Sequence, residues 1–136
     1  MFSFNIQKND NTNFRTDGQS FLKTFYAQMN SSLHNINNFF NHNVICTFDG
    51  EEFVGVNNLQ NKFNKMNIVR FDYQNVNNII QPLTNNEILI HSFGQIKAYN
   101  IWNSSLGNWL VYNEIFVLEK TNEKHLVKNY MFSIQK

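Results

Sequence analysis

The sequence predicts an α+β domain, in which three helices come first and a run of long, mostly antiparallel strands follows. Up to Met66, apolar residues recur every three or four positions, which is the spacing of one helical face. After Met66 they alternate with polar residues, as expected for strands. Several of these strands exceed the usual length of about five or six residues. We therefore expect a strongly bent sheet with the helices packed on one of its faces.

The first helix is predicted to begin at Thr16, because Thr16 and Gln19 have the spacing of a capping box. Ser31 and Ser32 predict the start of a second, shorter helix, and Val56 begins a third. The apolar faces of the first two helices comprise Phe21, Leu22, Phe25, Tyr26 and Met29, and then Leu33, Ile36, Phe39 and Phe40. The first two helices should therefore form a helical hairpin, and the third should bury one stripe.

A short β-hairpin is predicted between the second and third helices. The segment VICTF is rich in β-branched and aromatic residues, Asp49-Gly50 is a favoured two-residue turn, and EEFV can pair back. Gly55 ends the hairpin. Because this turn should be solvated, we expect ordinary pKa values for the carboxylates of Asp49, Glu51 and Glu52. Their charge would then serve attraction of a partner more than proton transfer.

Four long strands are predicted after Met66. The alternation in the first of them slips near Val76, which indicates a bulge. The other three are EILIHSFGQIKAY, with a bend at Gly94, then WLVYNEIFVLEK and HLVKNYMFSIQK. Pro82, the only proline, is placed in a connection. We assign residues 1–15 to a polar N-terminal extension and residues 16–136 to one domain.

The composition argues against several classes of function. The net charge is +1 and the lysines and arginines do not cluster, so nucleic acid is not expected as a partner. One cysteine and four scattered histidines offer no zinc spacing, and we predict no metal or cofactor. No segment approaches the ~20 apolar residues of a membrane span. We expect a soluble protein of the cytoplasm and nucleus, and we interpret its many asparagines as a coding bias on a folded surface.

The strand WLVYNEIFVLEK is apolar on both faces. Tyr112, Phe116 and Leu118 alternate with Val111, Ile115 and Val117. One face would pack on the helices, and the other would expose a larger apolar patch than a monomer normally shows. We therefore predict a homodimer formed through the sheet face.

From Gly18 to Ile134 the chain resembles the nuclear transport factor 2 family. The resemblance is carried, in order, by SFLKTFYAQM, CTFDGEEFVG, Gln81-Pro82, FGQIKAY, NEIFVLEK and NYMFSIQ. It implies a cone of three helices wrapped in a curved sheet. Some members of the family are carriers that dimerise through the sheet, bind phenylalanine-glycine repeats of nucleoporins and carry GDP-bound Ran. Others are scaffold domains of RNA-export or stress-granule proteins, and a third group are isomerases and dehydratases.

The resemblance to the carriers implies that Phe48 and Asp49 are partner-binding residues. In the carriers, an aromatic at the position of Phe48 helps to form the pore-repeat site, and an acid at the position of Asp49 pairs with a lysine of Ran. The alternative is that Asp49 is simply a favoured residue of a tight turn. Where the carriers place further acids, this chain has Tyr99, Asn100 and Ile101. The implied binding of Ran is therefore weakened or lost.

An enzyme with this fold would need a base inside an apolar cavity. His91 and Asp72 are the candidates, with Tyr26 or Tyr99 as donors, but the strand patterns favour packing for His91 and an outward position for Asp72. We therefore predict a non-catalytic homodimeric binding module for phenylalanine-containing peptides. Two alternatives remain open, a scaffold domain of the RNA-export or stress-granule type and a small cavity enzyme of the isomerase or dehydratase kind.

Overall fold

The computed structural model of the protein describes residues 12–136. The predicted extension, residues 1–15, lies largely outside the described residues. The helices are α1 (Phe14–Ser31), the 3₁₀ helix η1 (Leu33–Phe39) and α2 (Val56–Lys65). The strands are β1 (Phe40–Phe48), β2 (Glu51–Val54), β3 (Arg70–Thr84), β4 (Glu87–Tyr99), β5 (Leu110–Thr121) and β6 (Lys124–Ile134). No helix among residues 12–136 is both long and apolar enough to cross a membrane.

The strands form one open sheet in the order β2-β1-β6-β5-β4-β3. Within residues 12–136, only the β1–β6 pair is parallel, and the other neighbouring strands are antiparallel. The helices pack on one face of this sheet, where an aromatic-rich core is buried around Phe25, Phe63 and Phe116. These features confirm the predicted α+β, cone-like fold with a mostly antiparallel sheet.

The first helix begins at Phe14, so the prediction of a start at Thr16 was wrong. The capping box does not form, and the amide of Asp17 donates to the carbonyl oxygen of Asn13 at 2.9 Å. The side chain of Phe14 is only 9% exposed, so apolar burial stabilises the added residues. For the second helix, Ser32 is the cap as predicted, because its Oγ accepts from the His34 amide at 3.2 Å.

The predicted hairpin and bulge are both present. Phe48 pairs with Glu51 across a turn in which Asp49 and Gly50 have φ values of 48° and 92°, as the tight hairpin turn requires. In β3, the register against β4 shifts between Gln74 and Asn77. At Gly94, opposite this bulge, a Cβ atom would lie 2.8 Å from a carbonyl oxygen of β3. Glycine is therefore required where the sheet bends.

Pro82 lies within β3 and not in a connection, so that prediction was wrong. It pairs with Ile88 of β4, and the register shifts immediately after it. Because β3 is one of the two edge strands, no other strand within residues 12–136 lies on its outer side to receive an N–H group. An edge position therefore tolerates the proline inside the strand.

Candidate functional site

The first candidate site is the tip of the β1–β2 hairpin, where Phe48 lies. Its side chain is only 5% exposed. The ring stacks on Phe132 with centroids 4.7 Å apart and an interplanar angle of 8°, and it meets the edge of Phe63 at 5.3 Å. Phe48 therefore supports the hairpin from inside, and only the rim of its ring is open to a partner.

Two of the three acids at this turn, Asp49 and Glu51, are each paired with a lysine of the same chain. Asp49 accepts from Lys136 Nζ at 2.9 Å and from the amide of Ile134 at 3.3 Å, and the hydrogen bond from Lys136 is the main cause that lowers the Asp49 pKa. Glu51 lies 2.7 Å from Lys62, which lowers the Glu51 pKa. The expectation of ordinary pKa values was therefore wrong for both. The two groups stay ionised, but a cationic partner would have to compete with these lysines.

The second candidate site is the open face of the sheet, on the side away from the helices. The strand registers place one row of residues across five strands, namely Thr47, Met131, Ile115, His91 and Ile79. Met131 is 44% exposed and Ile79 is 53% exposed. Ile45, two residues before Thr47, and Val111, four residues before Ile115, are also exposed on this face. The hairpin therefore borders an apolar surface that a partner can reach.

The residues considered for catalysis do not meet in one place. His91 lies on the open face, where its Nε2 is hydrogen-bonded to Asn113 Oδ1 at 2.9 Å. Asp72 also points away from the core, and its Oδ1 accepts from the Tyr73 amide at 3.0 Å. The ring of Tyr99 lies beneath the guanidinium of Arg70, and the distance from the guanidinium carbon to the centroid of that ring is 3.9 Å. Only the hydroxyl of Tyr26 reaches the interior.

That interior holds a carboxylate that the sequence analysis missed. Glu114 of β5 is only 1% exposed, and it accepts hydrogen bonds from Tyr26 at 2.7 Å and from Tyr130. Burial raises the pKa of Glu114 to about 7, although the hydrogen bonds from Tyr130 and Tyr26 oppose the shift. The alternation of Tyr112, Glu114 and Phe116 along β5 was the available signal, because it places all three side chains inward.

Aromatic rings surround this buried acid. The Tyr112 hydroxyl donates to Tyr26 at 3.1 Å, and Ser92 Oγ lies 2.8 Å from the same Tyr26 oxygen. The ring of Tyr73 lies 4.4 Å from that of Tyr26, and its buried hydroxyl has no hydrogen-bond partner among the described residues. The side chains thus fill the centre of the cone and hold Glu114 in place.

Comparison with known proteins identifies the family of this chain and several solved structures with a similar fold. The nuclear transport factor 2 (NTF2) domain matches residues 17–133. The comparison with curated protein sequences gives no match. Among solved structures, nuclear transport factor 2 from Cryptosporidium parvum is similar with a TM-score of 0.80 and 22% identity, over 93% of this chain and 98% of that one.

Two other similar structures have different roles. One is a putative dehydratase of the NTF2-like family from Streptomyces avermitilis, with a TM-score of 0.72 and 10% identity, covering 90% of this chain and 97% of that one. The other is the yeast UBP3-associated protein BRE5, with a TM-score of 0.65 and 14% identity, covering 90% and 96%. At these identities the likeness shows the fold alone.

Proposed function

This chain belongs to the nuclear transport factor 2 (NTF2) domain family, and we propose that it is a non-catalytic homodimeric module that binds phenylalanine-containing peptides such as nucleoporin repeats. The observation that carries the proposal is the apolar surface around Ile79, Ile115 and Met131 on the open sheet face, which borders the Phe48–Asp49 hairpin. A carrier of this kind works in the cytoplasm and nucleus, and we assign this protein there.

The homodimer is proposed because the open face of the sheet exposes apolar side chains to water. A second copy placed over Met131, Ile115 and Ile79 would remove from water an apolar surface that a monomer seldom leaves exposed. We expect light scattering at micromolar concentration to give a particle of about twice 16.1 kDa. Met131→Lys should shift it toward the monomer, because the lysine charge would be buried at the interface.

The control for this variant is Ile101→Lys, which adds the same charge at a 74%-exposed side chain in the β4–β5 loop. That protein should remain dimeric. A parent that scatters only as a monomer would contradict the proposed assembly, and so would dimers that survive Met131→Lys unchanged.

Absence of catalysis is proposed from the positions of the acids and the histidine. His91 and Asp72 both lie on outward-facing positions and hydrogen-bond to neighbours, so neither can act on a molecule inside the cone. Glu114 is inside, but tyrosine hydroxyls occupy both of its oxygens. A substrate would have to displace these hydrogen bonds and the surrounding rings before it could reach the carboxylate.

Binding of GDP-bound Ran is the weaker part of the proposal. The acid that would receive a lysine of Ran, Asp49, already accepts from Lys136, and the neighbouring acids of the carriers are replaced by residues such as Ile101. An exposed pair like Asp49–Lys136 contributes at most about 1 kcal/mol, so Lys136 weakens this contact and does not abolish it. The yeast UBP3-associated protein BRE5 favours the scaffold alternative, in which another protein is the partner.

The test is a titration of the parent and of Asp49→Lys with an FxFG-containing peptide and with GDP-bound Ran, at low and high salt. We expect the parent to bind the peptide with little dependence on salt, because the surface beside the hairpin is apolar. Asp49→Lys should change peptide affinity less than threefold and should remove any binding of Ran. If the parent binds neither ligand, the carrier proposal is wrong and the scaffold alternative replaces it.

A second candidate function, a small enzyme acting inside the cone, is favoured by one observation. Burial brings the pKa of Glu114 to about 7, which is suited to general acid–base chemistry at neutral pH. The similar structure from Streptomyces avermitilis is described as a putative dehydratase, and dehydration is a reaction of this acid–base kind. Turnover of ketosteroid, enol or dehydratable substrates by the parent, abolished in Glu114→Gln, would establish the enzyme. We expect no turnover by the parent.

A further inference from the structure

We propose that the outer edge of β3 pairs with the same edge of a second copy of this chain, so that two six-stranded sheets join edge to edge. The sheet has two edge strands, β2 and β3. The outer side of such a strand presents N–H and C=O groups that another chain can bond, and proteins usually protect it with charged side chains, proline or a bulge. The two edges of this sheet differ in that protection.

Charge protects β2 but not most of β3. The strand β2 is only four residues long, and two of them, Glu51 and Glu52, are exposed acids. The strand β3 has 15 residues, and no residue from 73 to 86 is charged. Like charges that face each other across paired strands are destabilising, and here they are lacking on both sides. The edge of β3 is therefore suited to pairing with its own copy.

The unprotected part of β3 is residues 77–81. The β3 bulge precedes this segment and Pro82 follows it. The segment is accessible from both faces of the sheet, because Asn78, on the same side as the buried Ile80, is exposed, and Ile79 on the open face is 53% exposed. A short, uncharged strand with both faces accessible is an open template for another strand.

The outward backbone groups of this segment belong to Asn78 and Ile80. In an antiparallel pair, successive residues point their N–H and C=O groups alternately toward the neighbouring strand and away from it. Proline has no N–H group, so Pro82 is tolerated where its nitrogen points away from β4. Asn77 has the opposite orientation, because its carbonyl oxygen accepts from Ser92 Oγ of β4 at 3.4 Å. Alternation from these two residues turns the backbone groups at positions 78 and 80 outward.

The segment is complementary to itself when two copies run antiparallel. A two-fold axis at Ile79 places Asn78 of each copy opposite Ile80 of the other. These are the residues with outward backbone groups, and each such pair exchanges two backbone hydrogen bonds. Pro82 of one copy then lies opposite the β3 bulge of the other, so the pairing ends at the same place on both copies.

The side chains also match in this arrangement. Asn77 lies opposite Gln81 of the second copy, and both are uncharged carboxamides that donate and accept hydrogen bonds. The two Ile79 side chains lie side by side at the axis on the open face, where each now exposes apolar surface to water. Burial of that surface stabilises the contact.

This edge contact is separate from the face-to-face homodimer of the proposed function. Backbone groups at the rim of the sheet form it, and only Ile79, at the end of the apolar row, takes part in both contacts. A strand pair of this length buries less than the about 1,200 Å² of a stable standard interface. We therefore expect a weaker contact that forms at higher concentration and joins homodimers into larger assemblies.

The experiment is disulfide crosslinking of the full chain with the substitution Ile79→Cys in a glutathione redox buffer. At the proposed axis the opposite Cα atoms lie about 4.5 Å apart, which a disulfide can bridge. Glutathione disulfide oxidises the two thiols and is itself reduced, and the native Cys46 is buried. The matched control is Leu83→Cys, which is 51% exposed on the same strand but lies beyond Pro82. We expect Ile79→Cys to form covalent dimers at least tenfold faster than the control.

Two further substitutions, each combined with Ile79→Cys, test the backbone pairing. Asn78→Pro removes an outward N–H group without removing a hydrogen bond to β4, and it should slow crosslinking at least tenfold. Asn78→Lys adds to the edge the charge that discourages strand pairing, and it should slow crosslinking about threefold or more. Circular dichroism checks that both proteins are folded. Met131→Lys, which is directed at the face contact, should leave the crosslinking rate within threefold.

Several results would overturn the edge contact. Equal crosslinking rates for Ile79→Cys and Leu83→Cys would do so, as would rates that both substitutions of Asn78 leave unchanged. Loss of the crosslink in Met131→Lys would assign it to the face-to-face homodimer. Slow hydrogen exchange of the Asn78 amide at a concentration too low for crosslinking would show that another part of the same chain covers the edge. A monomeric parent that still crosslinks through Ile79→Cys would contradict only the face contact, so the two proposals can fail separately.

Discussion

Phe48→Ala is expected to lower the free energy of unfolding by about 3–5 kcal/mol, as is typical for loss of a buried phenylalanine ring. The ring is 5% exposed and fills the space between Phe132 and Phe63, so its removal leaves a cavity where the hairpin, β6 and α2 meet. Urea unfolding followed by circular dichroism measures the change. Ile45→Ala, on the same strand but 55% exposed, is the control and should cost less than about 1 kcal/mol.

This prediction changes how a binding defect at Phe48 is interpreted. If Phe48 contributed mainly through an exposed contact, the variant would lose peptide affinity but unfold at nearly the parent's urea midpoint. The buried position instead predicts a large loss of stability in Phe48→Ala. Any loss of peptide affinity would then be a consequence of that loss of stability. A midpoint within 0.3 M of the parent's, where such domains have slopes of about 1–3 kcal/mol/M, would contradict the structural role.

Glu114→Gln is expected to make the protein more stable than the parent at pH 8 and about equally stable at pH 4.5. Burial raises the pKa of the Glu114 carboxyl from 4.5 to about 7 in the folded protein, so folding favours the protonated acid. The stability that the protonated group contributes is complete below about pH 4.5 and is lost as the pH rises through 7. At about 1.4 kcal/mol per pKa unit, the loss amounts to roughly 3 kcal/mol.

Thermal unfolding of parent and variant at half-unit pH intervals measures this effect. The carboxylates of Asp49, Glu51 and Glu87 have lowered pKa values and contribute in the opposite sense, but they do so equally in both proteins. The difference between the two curves therefore reports Glu114 alone. Curves that run parallel from pH 4.5 to pH 8 would show that the buried carboxylate does not titrate in this range.

Much of the fold could be predicted because its signals are local. Apolar spacing gave the faces of α1 and α2, the Asp49-Gly50 turn predicted the hairpin, and the slip in alternation near Val76 predicted the bulge. The errors arose where a contact with a residue far away in the sequence determines where a helix or strand begins or ends. Burial of Phe14 extends α1 beyond its predicted cap, and the edge position of β3 admits Pro82 into the strand.

The candidate sites were harder to predict because their partners are far apart in the sequence. Glu114 accepts hydrogen bonds from Tyr26, 88 residues away, and from Tyr130, 16 residues away. No short sequence motif therefore predicts this cluster. Phe48 could be placed on the inward face of β1 by alternation with Thr47, but its stacking on Phe132 depends on the parallel β1–β6 pairing. The lysines that pair with the hairpin acids are likewise visible only in three dimensions.

The most direct test of a peptide-binding module is to map the site by nuclear magnetic resonance, with the amides of the full chain observed while an FxFG-containing peptide is added. The proposal predicts that perturbed amides cluster on the hairpin tip around Asp49, and that amides around Met131, which the second copy of the dimer covers, are unaffected. Amides near Glu114 in the interior should be unaffected. The absence of any perturbation at millimolar peptide, or perturbations confined to residues around Glu114, would contradict the proposal.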